Sequence, residues 1–274
     1  GVAQFLREDV EIDYIVFDLL AESVVGRLAR QRLDDSEGGY ARSFVETLAG
    51  PHLRRIRERG IRLIANAGGV NPHGCGKALA HKAAELGVAV KIAVVDGADL
   101  SALLPSVMAQ REMFGHGTIA DAIERADPVL AFTAYLGAFP IAAALDRGAD
   151  IVITGRIVDS ATTLGALIHE FGWAADDFDL LAAGTLVGHL IECSTQVTGG
   201  TFTDWRDVPD WANIGYPIAE CRADGTAVIT KPPGTGGLIS VGTVAEQLLY
   251  EVEDVAAYLV PDVVCDFSDV KLVL

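Results

Sequence analysis

The stretch that decides the fold is Ile61 to Gly76, IRLIANAGGVNPHGCG. Residues Ile61 to Ala65 are β-branched and aliphatic, the composition of a buried strand. The run stops at Asn66-Ala67-Gly68-Gly69, and Asn71-Pro72 then opens a helical pattern. Asparagine is a favoured N-cap, and proline suits the first helical position, where its missing N–H costs nothing. The amides of such a helix start, with two glycines beside them, attract a phosphate or a carboxylate. Asn66, Gly68, Gly69 and Asn71 are therefore candidate substrate-binding residues, at the carboxyl end of a strand where open α/β sheets hold ligands. The same glycines would also serve a plain tight turn.

Working outward, Asp13 to Asp18 reads as another buried strand, followed by a helix from about Leu20 to Arg32. A second helix is expected from Tyr40 to Arg59, broken at Pro51, and a third from Pro72 to Leu86, stopped by Gly87. Val88 to Val95 returns to strand character. The strand–helix–strand unit so formed implies a parallel pair. Asp150 to Thr154 is a further short strand. Helices are expected from Asp159 to Phe171 and from Asp179 to Cys193, the latter with Gly184 and Gly188 four apart, a spacing that permits close helix packing. After Thr198 the pattern changes. Ile218–Cys221 and Ala227–Thr230 flank Asp224-Gly225, a hairpin signal, and a helix follows from about Val241 to Glu251. The expected fold class is α/β, a largely parallel sheet of βαβ units flanked by helices. Residues 1–197 form the expected core domain, and 198–274 a smaller mixed α+β portion packed on it.

The bulk numbers exclude several functions. Half of the 274 residues are apolar, enough for a large core. The longest apolar run, Ala131 to Leu145, is cut by Gly137 and Pro140 and falls short of the roughly 18 to 20 residues of a membrane span. A net charge of −17 repels phosphate backbones, so no nucleic-acid partner is expected. The four cysteines are scattered with no CxxC pair, which fits neither a disulfide scaffold nor a zinc site and suggests a reducing cytoplasm. No Walker A pattern is present. Gly115 to Ala120 matches the dinucleotide fingerprint in letters only, because no strand precedes it. No cofactor is evident.

Three more constellations carry possible chemistry. In the turn Thr154 to Ser160, Arg156 could clamp a carboxylate or phosphate, and Asp159 is either a general base or the N-cap of the next helix. His189, Glu192 and Cys193 fall at i, i+3 and i+4 on one helix, giving either an acid–base pair or a polar pair packed at a helix end. Two metal ligands could share that spacing, but no third is visible and HExxH is absent, so no metal is expected. In Lys231 to Gly237, a cation and a stiff diproline precede Gly234, Thr235, Gly236 and Gly237, an arrangement that can wrap amides round an oxyanion. Cys75 at its helix start reads as a small core residue before it reads as a nucleophile, with His73 in solvent.

Several segments together resemble the acyclic terpene utilisation (AtuA) family. They are DYIVFDLLAE (Asp13 to Glu22), NAGGVNP (Asn66 to Pro72), GRIVDSA (Gly155 to Ala161), FGW (Phe171 to Trp173), AAGTLVGHLIECSTQVTGG (Ala182 to Gly200), NIGYPIAE (Asn213 to Glu220) and ITKPPGTGGLISVGTVAEQLLYE (Ile229 to Glu251). The resemblance covers nearly the whole chain, in order. It implies a place in bacterial breakdown of acyclic terpenoids such as citronellol and geraniol, a route through acyl-CoA intermediates. It also implies a glycine-rich opening, with a Gly-Phe-Trp-Gly-Asp-like run, ahead of the Asp13 strand. That opening is not in this sequence, and the last apolar piece, Val263 to Leu274, has no closing turn, so a fragment is expected.

The expectation is thus a catabolic enzyme acting on a small acid or an acyl-CoA, with a CoA ester as substrate. Asn66–Asn71, Arg156 and Lys231–Gly237 would form three sides of its pocket, and Asp159, His189 or Glu192 would move protons. A homo-oligomer is expected. The alternative is a non-catalytic binding or assembly subunit partnering a CoA-dependent enzyme such as a biotin-dependent carboxylase.

Overall fold

A computed structural model describes residues 1–113, 115, 117–125 and 129–274. His116, within the rejected dinucleotide match, lies outside the described residues.

Four parallel strands form the central sheet: β1 (Tyr14–Phe17), β2 (Arg62–Gly69), β3 (Ile92–Val95) and β4 (Ile151–Gly155). Their order is β1-β2-β4-β3. The sequence places β2 beside β3, as a single βαβ unit, and the structure inserts β4 between them. Burial explains the order. Every residue of β4 is buried, whereas β3 buries only Val95 and β1 only Ile15. The strand that is apolar on both faces takes the centre, where helices cover it above and below.

Side chains alternate between two cores. Leu63, Ala65, Ile151 and Ile153 point to one face, against Phe44, Leu53, Cys75 and Leu79. Ile64 and Val152 point to the other, against Ile141, Leu145, Leu164 and Leu181. The first face is covered by α2 (Pro72–Glu85) and by the segment 44–58. That segment is broken into a π-turn, a 3-10 turn and a short helix, in place of the one interrupted helix expected there. The second face is covered by α3 (Phe139–Asp146) and α4 (Ala161–Phe171), with α5 (Phe178–Glu192) packed on α4. A longer early helix, α1 (Glu22–Asp34), follows β1.

Two local features set up the carboxyl edge of the sheet. β2 does not stop at Ala65, as the sequence suggests, but runs to Gly69 through an irregularity. Ala65 pairs with Ile153 and Gly69 with Gly155, so the residues between them bulge out of the ladder. Asn66 sits in that bulge with its side chain turned toward the end of β1. The second feature is Gly188 in α5. A Cβ there would lie 2.5 Å from the Ser160 carbonyl oxygen and 2.8 Å from its Cα, so the glycine lets α5 press directly onto the residue after Asp159. A Cβ at Gly184 would meet only side-chain ends, Leu164 Cδ1 and Trp173 Cζ3, at 2.8 Å. Gly188→Ala is therefore expected to destabilise the protein by about 1–3 kcal/mol, since backbone cannot yield as side chains do. Gly184→Ala should cost less. Urea unfolding of the two variants checks the order; equal costs would contradict this packing.

The later portion holds the expected hairpin, β5 (Ile218–Cys221) with β6 (Ala227–Thr230), turning at Gly225 with φ 84°. Trp173 Nε1 donates to the Ala223 carbonyl at 3.1 Å and ties this hairpin to the core. Helix α6 (Val241–Leu249) starts in a capping box between Ser240 and Thr243. It packs on α5 through Val244 and Leu248, which join Leu190 and Val197. The last apolar piece, Val263 to Leu274, holds only the two-residue β8 (Val264–Cys265), paired with β7 (Tyr258–Leu259). No described helix is long and apolar enough to cross a membrane.

Candidate acidic site at the carboxyl edge of the sheet

Asp18 follows the last residue of β1, Asp159 lies in the turn after β4, and Glu192 is the last residue of α5. Their carboxylate oxygens come within 4.8 Å of one another. Each reaches this point for a local reason. Asp18 is anchored by the bulge: Asn66 Nδ2 donates to Asp18 Oδ1, and Asn66 Oδ1 accepts from the Leu19 amide at 2.7 Å. The Leu20 amide also donates to Asp18 Oδ1 at 3.2 Å. Asp159 is held by Arg156, whose Nη1 lies 2.5 Å from its Oδ1. Glu192 arrives through the glycine contact, one turn beyond Gly188, and Gln247 Nε2 of α6 donates to its Oε1 at 3.3 Å.

Electrostatics are poorly balanced. Arg156 forms the one salt bridge made to the trio among the described residues. It is 4% exposed, shares its other nitrogen with Glu22 at 3.2 Å, and lies over the Tyr135 ring at 4.2 Å. Tyr135 in turn donates to Glu22. Burial alone would lower the Arg156 pKa, but Asp159 and Tyr135 raise it, so the guanidinium stays charged. Burial pushes the Asp18 carboxyl up to about 6, and the Asp159 charge adds to this against the pull of Asn66 and the Leu20 amide. Burial pushes Glu192 up to about 7, reinforced by the charges of Asp18, Asp159 and Glu251.

A cavity of about 850 Å³ opens beside the trio, and Asp18 and Glu192 are in its wall. It runs along β1, where apolar side chains such as Ile15, Phe17, Leu167 and Ile191 share the wall with further carboxylates, Glu11, Asp13, Glu170 and Glu220. At its far end stand Tyr14 and Glu170, hydrogen-bonded at 2.5 Å.

The residues singled out in the sequence fall into three groups. Asp159 and Glu192 join the acidic centre. Asp159 is not the N-cap of α4; that position is Ser160. Asn66 serves the centre as the support of Asp18. Arg156, read as an anion clamp, spends two nitrogens on Asp159 and Glu22.

Others are engaged elsewhere. His189 is 3% exposed, its Nε2 lies 3.2 Å from the Leu248 carbonyl, and its ring faces Tyr258. Burial lowers its pKa, so the ring is neutral and Nε2–H donates. No hydrogen bond joins it to Glu192 among the described residues. Gly68 lets the chain pass Thr154 and Pro72, where a Cβ would lie 2.5 and 2.6 Å away, and Gly69 takes φ 54°. Asn71 does cap α2, its Oδ1 accepting from Gly74 N at 3.0 Å, while its Nδ2 donates to the Gly38 carbonyl at 2.8 Å. Cys75 is fully buried in the core and pushed up to about 12, which suits packing and not nucleophilicity. His73 is exposed and 3.0 Å from Asp96.

The Lys231 loop is closed on itself. Lys231 Nζ donates to the Thr235 carbonyl at 2.7 Å, and Thr235 Oγ1 to the Pro232 carbonyl at 2.6 Å. Gly234 and Gly237 have positive φ, and a Cβ on Gly236 would lie 2.1 Å from the Asp210 carbonyl oxygen. Backbone bonds tie the loop to Pro209, Asn213 and Gly215. Among the described residues no hydrogen bond or ion pair links it to Asn66–Asn71 or to Arg156.

Sequence reasoning missed Asp18, Glu22, Tyr135 and Gln247. Asp18 did carry a signal, since it ends a strand at the carboxyl edge of a parallel sheet. Gln247 carried none, because its role depends on how α6 docks against α5.

A parallel α/β protein with an acidic centre beside a cavity along its edge strand is the class that fold and site define. The chain matches the family described as acyclic terpene utilisation family protein AtuA over residues 1–273, and it belongs to that family. No curated protein and no solved structure matches it.

Proposed function

We propose that the protein is a catabolic enzyme of acyclic terpenoid or branched-acid breakdown, acting on a carboxylate or its CoA ester. The observation that carries this reading is the cavity along β1, partly walled by Ile15, Phe17, Leu167, Phe171 and Ile191, with Asp18 and Glu192 also in its wall. An acyclic, methyl-branched tail matches such walls, and burying it would bind the substrate at roughly 25 cal/mol per Å² of apolar surface removed from water. The polar, reacting end would then face the carboxylates. Closely placed carboxylates can remove a proton from one atom and return it to another, the general acid–base role. Asp18 and Glu192 are the residues that would touch substrate. Asn66, Arg156 and Gln247 position them and are not themselves catalytic.

This site differs from the three-sided glycine pocket expected from sequence. The substrate is gripped by its apolar part, and the Lys231 loop is left out of the reaction.

The test is a panel of acyclic branched acids and their CoA esters, with straight-chain counterparts, offered to the purified full chain. Binding by isothermal calorimetry and product by mass spectrometry are both read. Tighter binding of branched members, lost when Ala166→Trp fills the cavity, is the expected result. Binding indifferent to Ala166→Trp would falsify the assignment. Binding without turnover, together with a stoichiometric protein partner, would instead favour an assembly subunit.

A further inference from the structure

We propose that the acidic centre binds one divalent cation of the oxygen-preferring kind, magnesium or manganese, through Asp18, Asp159 and Glu192 with Gln247 beside them. The inference rests on the reaction proposed above and takes the same centre: with an ion there, Asp18 and Glu192 would act as its ligands, and the ion would polarise the substrate's oxygen in place of a bare carboxylate pair moving protons.

Three separate elements deliver the carboxylates, and their oxygens lie within 4.8 Å of one another, close enough to share a single ion. One oxygen of each is already held from outside. Asn66 donates to Asp18 Oδ1, Arg156 to Asp159 Oδ1 and Gln247 to Glu192 Oε1. Among the described residues no donor reaches Asp18 Oδ2 or Asp159 Oδ2. Outer donors of this kind orient ligating carboxylates and leave their second oxygens to the metal.

An independent observation comes from Gln247. It is 2% exposed, and its amide nitrogen lies 3.0 Å from the His189 carbonyl and 3.3 Å from Glu192 Oε1. A carbonyl only accepts, so the amide orientation is fixed. Its Oε1 is then left buried with no hydrogen-bond partner among the described residues, on a side chain bonded to Glu192. Buried acceptors are rarely left so. A cation among the carboxylates, or a water bound to that cation, would satisfy it.

Charge points the same way, since Arg156 alone offsets three carboxylates and itself leans partly on Glu22. The donor set is all oxygen, because the His189 Nε2 is spent on Leu248. Oxygen-only sets select magnesium, manganese or calcium over zinc.

The test uses the full chain, stripped with chelator and dialysed. Manganese is titrated in while the spectrum of the free ion is followed by electron paramagnetic resonance, and magnesium binding is followed by calorimetry. One saturable site per chain is expected. Asp18→Asn and Glu192→Gln should each weaken it roughly tenfold or more, and Gln247→Leu should weaken it to a lesser degree. Asp96→Asn, at the surface pair with His73, should leave it unchanged. Circular dichroism confirms that each variant is folded, and Glu192→Gln and Gln247→Leu carry the test if Asp18→Asn is not. The absence of stoichiometric binding, or binding equally strong in all folded variants, overturns the proposal. Substrate turnover that persists in chelator sinks the cation alone. A bound cation with no substrate binding sinks the enzymatic reading alone.

Discussion

Asp18→Asn is expected to make the chelator-treated protein more stable at pH 8, and to lower by at least about a hundredfold any turnover found on the branched-acid panel proposed above. The two effects have one cause. Asp18 sits partly buried, within 4.8 Å of two other carboxylates, with Arg156 bonded to Asp159 and not to Asp18. Its carboxyl is raised from 3.8 to about 6, by burial first and by Asp159 second. A carboxyl whose folded pKa is raised binds protons more tightly folded than unfolded. Its cost to stability is absent below 3.8, grows as pH rises toward 6, and is fully present above. Two pKa units correspond to about 3 kcal/mol, and partial exposure trims this to roughly 1–3. The variant removes the charge and keeps an oxygen that accepts from Asn66. Urea unfolding at pH 8 and at pH 4 should therefore show a gain at the higher pH that vanishes at the lower. General acid–base groups are worth roughly 10² to 10⁴ in rate, which sets the expected loss of turnover. A variant less stable than the parent at pH 8 in chelator would show that the trio is not under strain.

Arg156→Met should produce the opposite change. The guanidinium is buried and bridges Asp159 and Glu22 over the Tyr135 ring. Methionine fills much of the volume but supplies no charge. The carboxylates then face one another without a cation; Arg156 is buried but Asp159 is 32% and Glu22 74% exposed, so the cost is about 1–3 kcal/mol, below that of a fully buried pair. Near pH 8 in chelator the loss should be at that scale, since Asp18 and Glu192 are both ionised above their values of about 6 and about 7. On acidification below about 6 these carboxyls take up protons, the repulsion falls, and the deficit relative to the parent should shrink. Chemical unfolding across pH 5 to 8 measures this. A deficit independent of pH would mean that Arg156 acts by packing alone. Arg156→Lys separates the two roles further: it restores charge but cannot reach two carboxylates and stack on Tyr135 together.

Most of the secondary structure was legible in the chain. The runs read as strands at 13–18, 61–65, 88–95 and 150–154 hold strands at 14–17, 62–69, 92–95 and 151–155, the third starting four residues later than read, and the Asp224-Gly225 hairpin falls where its turn chemistry puts it. Asn71 caps its helix and Gly172 ends another with φ 66°. These are local effects, decided by a residue and its near neighbours, so the sequence alone determines them. The close α4–α5 packing was also legible as an option, because two glycines four apart on an apolar helix allow a neighbour to approach, and both do meet α4 or its N-cap.

Only the tertiary structure decided the rest. Strand order depends on which strand has two faces to bury, a comparison among segments far apart in the chain, and it set β4 at the centre. The β2 bulge, which aims Asn66 at Asp18, exists because β2 must stay in register with β4 on both sides of it. Lys231 looked like an anion ligand by composition, but its ammonium closes its own loop. The acidic centre joins residues 18, 159 and 192, from the ends of a strand, a turn and a helix. No spacing along the chain encodes that meeting. It follows from parallel strands that end at one edge and from a helix that Gly188 allows to approach them, and the physical consequence is a set of carboxylates closer together than their charges alone would permit.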